Sequence, residues 1–469
     1  MDVSGPLAVA SRSRCLRALQ FFLALIIVGA WTACYSPEPR GVSGTTHDSF
    51  KELKASIVRL RHLPLAQDIV LRPNAPEPPV QALSGAFEND YGPSSVRQVE
   101  KAYKRIGLLE ENADFLQGLA DYNRLEQMAF YDRHQHTISL GVESIRLGLA
   151  FAPSDPGTAR EIPVLFGIVH ALQEQNFHSD EKLLFLFLED RRLAFRSVAK
   201  GDATLVVLAH ESSEKTVPTS LVDIQIIARL GAALEKMAAD LPSFLRHKLV
   251  FPYREGSQFV LWAYTAKGWQ GVNRLYADPP LTTAQILHPE RYYIRRENPL
   301  RIFPWGLVAQ MKGNPVFEQT LGESLIRLLT ASVRSSQESA QIASAWQGDQ
   351  MTTYAVGGNL VIAWFSAWET DLAARKFFRA YQEALATQRR VRFFPSLGVQ
   401  DRLQAALDDG RSLVLQAKGS LVLFLDGLPS ARSMEIADAA WRDLEIDTEP
   451  IRTPLDLGRG PLQLSRMSR

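Results

Sequence analysis

His170, Glu174 and His178 follow one another at four-residue intervals, with Asp180 just behind them and Asp202 in the next predicted helix. Along an α-helix this spacing drifts by only about 40° per step, so the three side chains share a face. Two imidazoles and one or two carboxylates are a donor set that zinc accepts. The competing reading makes His170 a hydrogen-bonded histidine on a buried helix and gives Glu174 no metal to hold. His134 and His136, in a polar run, read as turn residues rather than ligands. No Ser-His-Asp order and no Gly-rich phosphate loop stands out.

The helix that would carry the trio runs over 162–177, where Ile162, Leu165, Phe166, Val169, Leu172 and Phe177 form a wide apolar face. Pro163 is expected in its first turn, where a missing N–H costs nothing. Gly167 in the interior costs roughly 1 kcal/mol against alanine, which points to close packing at that spot. A second helix over 190–209 turns Leu193, Ala194, Val198, Leu205 and Leu208 inward, with Asp202 capping or pairing in the core. Further helices are expected over 49–63, 94–109, 113–129, 224–241, 257–266, 268–276, 317–334, 371–386 and 431–444. Residues 130–132 and 137–140 alternate as a hairpin, 352–354 and 359–365 as strands, and 412–416 with 420–425 as a second hairpin. The fold class is therefore α+β: a mainly helical domain with a small sheet over 49–299, then a smaller α+β domain over 300–449. Aromatic residues crowd 249–293, where rings could line a groove or lie buried under loops.

Among 469 residues, 52 basic and 51 acidic side chains leave a net charge of +1, which gives no sign of a nucleic-acid partner. Hydrophobic content of 46% and charged content of 22% suit a chain that buries a full core. Ahead of that fold, Arg12, Arg14 and Arg17 precede an apolar run over 21–30, shorter than the roughly 20 residues a spanning helix needs. Trp31-Thr32-Ala33-Cys34 resembles a bacterial lipobox, whose cysteine is acylated and becomes the new N-terminus. The expected layout is a signal peptide over 1–33, a polar tether over 34–48 and a loose tail over 450–469. Cys34 would carry the lipid, while Cys15 would leave with the signal peptide. The membrane is then a partner through that lipid, in an extracytoplasmic location; cleavage near Ala33 without a lipid is the alternative.

The run Phe166-Gly167-Ile168-Val169-His170-Ala171-Leu172-Gln173, followed by Asp190, Ala194 and Lys200-Gly201-Asp202-Ala203, resembles the core of exported bacterial gluzincin-like zinc peptidases. The resemblance continues in patches between about 50 and 430. It takes in Tyr131-Asp132, 249–259, Gly268-Trp269, Tyr276, Gln285, 287–290, Leu321-Gly322-Glu323 and 346–349. Ala284 departs from it, standing where an acid is usual. In that family two histidines four apart bind zinc, a Glu between them activates water, and a Glu on the next helix is the third ligand. The resemblance puts Phe166 in place of the first histidine, Gly167 in place of the base and Lys200 in place of the third ligand. Of the four positions only His170 keeps its chemistry, and an ammonium at 200 opposes a divalent cation directly.

These implications define the expectation. The chain is a zincin-like, lipid-anchored pseudo-metallopeptidase without a cofactor, which binds a polypeptide or partner protein and does not cleave it. One alternative is a hydrolase with an unusual metal site at His170, Glu174 and His178; another is a structural envelope lipoprotein. Convergence of Phe166, His170 and Lys200 in space, with or without a carboxylate among them, bears on the choice.

Overall fold

In the computed structural model, residues 47–73 and 96–447 are described, apart from 142, 185, 213–214, 218–220, 312–314, 397–398 and 400. The signal peptide, Cys34, nearly all of the tether and the tail lie outside the described residues. The first helix, α1 (His47–Arg61), takes in the last two residues assigned to the tether and buries Phe50, Leu53 and Ile57. After β1 (Val70–Arg72) come α2 (Val96–Ile106) and α3 (Phe115–Glu126), the latter capped by the Asp114 side chain. β2 (Ala129–Asp132) and β3 (Thr137–Leu140) form the expected hairpin, and β1 adds to β3 in parallel. The order β1-β3-β2 leaves β2 on an edge.

α4 (Ser144–Phe151) leads into the central helix, α5 (Pro156–Phe177). Asp155 caps α5 by accepting from the backbone N–H of Gly157 and Thr158, so Pro156 takes the first position and Pro163 lies well inside. The expectation of Pro163 in the first turn is corrected: a stronger start signal lies one turn and a half upstream. Pro163 leaves the Ala159 carbonyl without its helical amide, and that carbonyl packs against Gly148 of α4.

α6 (Ser179–Leu184), α7 (Glu189–Glu211), α8 (Leu221–Met237) and α9 (Ser243–Ala277) follow. α9 absorbs both short helices expected over 257–276 and the stretch before them, and only Lys267 and Gly268 interrupt it, Gly268 at φ 57°. α7 and α9 cross backbone to backbone. A Cβ on Gly201 would stand 2.4 Å from the Gly256 carbonyl oxygen, and one on Gly256 would stand 2.3 Å from that of Ser197. Two short helices, α10 (Thr283–Leu287) and α11 (Glu290–Tyr293), complete the helical part.

The sheet part holds β4 (Arg301–Pro304), α12 (Trp305–Gln310), β5 (Pro315–Gln319), α13 (Gly322–Thr330), α14 (Ser336–Ala343), β6 (Trp346–Val356) and β7 (Asn359–Trp368). α15 (Asp371–Arg389), β8 (Phe394–Pro395), β9 (Arg402–Ala406), β10 (Arg411–Lys418), β11 (Leu421–Pro429), α16 (Ser430–Ala440) and β12 (Leu444–Asp447) finish it. Residues 315–319 pair with β6, so the helix expected over 317–334 is corrected to a strand followed by a shorter helix. Sheet pairing there overrides a weak local preference. Seven antiparallel strands run in the order β5-β6-β7-β11-β10-β9-β8. Trp364 and Trp368 face Phe377 of α15, whereas Ala363, Phe365, Leu423 and Leu425 belong to a core shared with Ile436, Ala437 and Ala440 of α16.

The helical and sheet parts, expected as two domains, lie in one compact unit. Arg105 of α2 links the two by forking the Asp426 carboxylate of β11 at 2.7 and 2.9 Å. The fold is α+β. No helix among the described residues is long and apolar enough to cross a membrane.

Candidate functional site

The crossing of α5, α7 and α9 brings Phe166 and Lys200 against one ring, that of Tyr253, with His170 beside Phe166. Phe166 is fully buried, its ring centroid 5.8 Å from Tyr253, 6.2 Å from His170 and 5.2 Å from Phe151. The Lys200 ammonium lies 5.5 Å from the Tyr253 centroid and 3.4 Å from a carboxylate oxygen of Glu126, at the end of α3. Contact between the α7 and α9 backbones at Gly201 and Gly256 is what lets Lys200 and Tyr253, one and three residues away, meet. A carboxylate does lie at Lys200, and Glu126 supplies it.

Charge in this cluster is set by the pair. Burial acts to raise the Glu126 carboxyl, but Lys200, Arg196 and Lys248 outweigh it and lower the pKa below the usual glutamate value. Burial likewise opposes the Lys200 cation, yet Glu126 and Tyr253 hold its pKa above that of an ordinary lysine. The His170 imidazole is driven well below its ordinary value, by burial first and by the Lys200 charge second, against a hydrogen bond to the Ala129 backbone. A neutral imidazole thus sits near a firmly charged ammonium.

Zinc needs several deprotonated donors converging on one point. One imidazole, a phenyl ring and an ammonium already paired with a carboxylate do not fit that ion. Gly167 is tightly packed as well: a Cβ there would lie 2.4 Å from the Cγ2 methyl of Ile138 on β3. The close packing expected there comes from a branched side chain.

The rival trio does not gather. Glu174 accepts from the Asp180 backbone N–H at 2.7 Å and the Ser179 hydroxyl at 3.4 Å at the start of α6, and its other oxygen lies 3.6 Å from Arg133. His178 ends α5 with φ 53° and faces solvent, its Nδ1 3.7 Å from Glu181. Among the described residues no group of three or more His, Cys, Asp or Glu is placed to hold a metal ion. Asp180 is pushed up to about 6, by burial first and by Glu174 next.

Asp202 pairs in the core, as expected, and its partner is Arg61 of α1, at 2.8 and 3.2 Å. Gln173 at 3.1 Å and the Tyr276 hydroxyl at 2.7 Å complete its contacts, and the Arg61 guanidinium stacks on Trp269 at 4.6 Å. His136 meets the Tyr131 hydroxyl at 3.0 Å, and Gln175 donates to that same hydroxyl, so the hairpin histidine braces β2 against α5. Glu126, Tyr253 and Arg61 were not singled out from the sequence as site partners. The available signal was Arg196 and Lys200, two cations one turn apart on a largely buried helix, which require acids nearby; it does not say which acids.

Asp190 and the motifs at 287–290, 321–323 and 346–349 meet in a second cluster, at the joint between helical and sheet parts. Asp349 accepts from the backbone N–H of Leu321 and Gly322 and from the indoles of Trp346 and Trp364, all within 2.9 to 3.0 Å. Asp190 accepts from the Thr283 amide at 3.0 Å and from its hydroxyl, and lies directly against Gly322. Burial raises Asp190 to about 8 and Asp349 to about 6. His288 sits 2.9 Å from Glu323, which Arg327 also holds at 3.0 Å.

A family model described as a domain of unknown function (DUF8575) matches residues 310–436, which spans the sheet part from the end of α12 into α16 and leaves α5 and α7 outside. No curated protein and no solved structure matches the chain.

Proposed function

We propose that this chain is a zinc-peptidase-like scaffold without a working metal site, which binds a polypeptide without cutting it and is held at a membrane by a lipid on Cys34. The observation that carries the reading is the Lys200–Glu126 ion pair, at the position that the resemblance gives to a third zinc ligand. Ile138, closing the place of the base at Gly167, supports it. Loss of a general base alone slows a reaction by roughly 10²- to 10⁴-fold, and here the ligands are replaced too. Polypeptide binding is supported by β2, which lies on a sheet edge, the place where an added strand can pair, and carries Phe130, 46% exposed.

Metal analysis of the purified protein tests the first half. No stoichiometric zinc and no peptidase activity are expected; near-stoichiometric zinc that disappears in His170→Ala overturns the reading. For the anchor, Cys34→Ser should release the protein from the membrane fraction, and an unchanged distribution rejects the lipid.

A further inference from the structure

Away from the Phe166–His170–Lys200 cluster, a groove of about 480 Å³ lies at the break in α9, bordered by α11. That volume is within the roughly 300–1,000 Å³ of ligand sites. One wall is aromatic. Trp262 is 50% exposed and lies parallel to Tyr293, within 6° at 6.2 Å, while Tyr292 stands edge-on to Tyr293 at 4.8 Å. Both tyrosine hydroxyls are already turned to backbone carbonyls, of Asp278 and Phe259, so the groove is offered rings rather than hydroxyls.

The rim is cationic. Lys267, Arg274 and Arg296 face a single carboxylate, Asp278, and Arg296 holds that carboxylate at 2.6 Å. Among the described residues, Lys267 and Arg274 have no acidic partner. An apolar stacking wall with two unneutralised cations fits a ligand with a ring and acidic groups close together.

We propose that this groove takes an acidic peptide segment carrying an aromatic side chain, with the ring on Trp262 and the carboxylates on Lys267 and Arg274. The choice of a peptide as the occupant rests on the polypeptide-binding function proposed above.

The test uses the full chain and a dye-labelled probe, acetyl-Glu-Phe-Asp-Glu-Phe-Asp-amide, read by fluorescence anisotropy. Binding is expected to weaken about tenfold in Trp262→Ala and again in Lys267→Glu/Arg274→Glu, and to fall as salt rises because the charges are exposed. Circular dichroism confirms that these surface variants fold. Equal affinity in all variants, no binding at millimolar probe, or equal binding of a probe with Ala for Phe overturns the proposal. A peptide that binds but ignores these variants removes the groove and leaves polypeptide binding standing. Stoichiometric zinc with cleavage removes the pseudo-peptidase function and leaves the groove intact.

Discussion

The Nζ of Lys200 lies 3.4 Å from a carboxylate oxygen of Glu126, two groups 74 positions apart that meet beside the ring of Tyr253. The pair satisfies a cation that α7 would otherwise bury alone.

Breaking this pair from one side should be costly. Lys200→Met takes from Glu126 its nearest cation, leaving Arg196 and Lys248, and is expected to destabilise the fold by about 1–3 kcal/mol, and the double variant Lys200→Met/Glu126→Leu to recover much of that loss. Urea denaturation of the three proteins measures it. The same single variant removes one of the two causes depressing His170, so its imidazole should titrate at higher pH by NMR. An unmoved His170 would show that Lys200 is not its electrostatic neighbour.

Replacing Gly167 with Ala normally favours a helix by about 1 kcal/mol. Here the added methyl meets Ile138 at 2.4 Å, so Gly167→Ala should instead destabilise by about 1–3 kcal/mol. A double-mutant cycle with Ile138→Ala should show strong non-additivity. Additive effects would mean that β3 does not press on this position.

The donor set can be rebuilt without touching Gly167. Phe166→His/Lys200→Glu adds an imidazole and a carboxylate beside His170 and Glu126. Zinc titration should then raise the melting temperature in proportion to saturation, with about 2.7 kcal/mol at a hundredfold excess over Kd. The unaltered protein should show no such response. A double variant that folds and ignores zinc breaks the assignment of these positions.

Asp190 gives the fold a pH dependence. Its folded pKa, about 8, is above the ordinary aspartate value of 3.8, so between these values the folded state holds a proton that the unfolded state has released. Stability should therefore fall as pH rises through this window, by up to about 1.4 kcal/mol per unit. Asp349, raised to about 6, adds to the fall only in the lower part. Asp190→Asn keeps a neutral acceptor for Thr283 and should flatten the profile between pH 6 and 8. Denaturation midpoints that stay constant there in the unaltered protein would contradict a protonated Asp190.

Much of the architecture was legible along the chain. The 129–140 hairpin, the helix over 190–209 and the 411–429 hairpin are local: their periods and turn residues belong to one stretch, and each formed close to its expected limits. Residues 317–319 were misread because a strand and a short helix share an apolar pattern there, and only the β6 partner resolves it. Pro252 was no barrier to α9, since packing against α7 outweighs one lost amide.

The residues of the site belong to both sides of that division. Sequence alone placed Phe166, Gly167 and His170 on one helix and Lys200 on the next, because helical spacing is a property of neighbours. It could not say that Glu126 neutralises Lys200, that Arg61 holds Asp202, or that Ile138 closes Gly167. Those contacts join distant segments, and a buried charge or a small residue reveals a need for a partner without identifying it. Only the packing of α1, α3 and β3 onto α5, α7 and α9 decided which side chain meets that need.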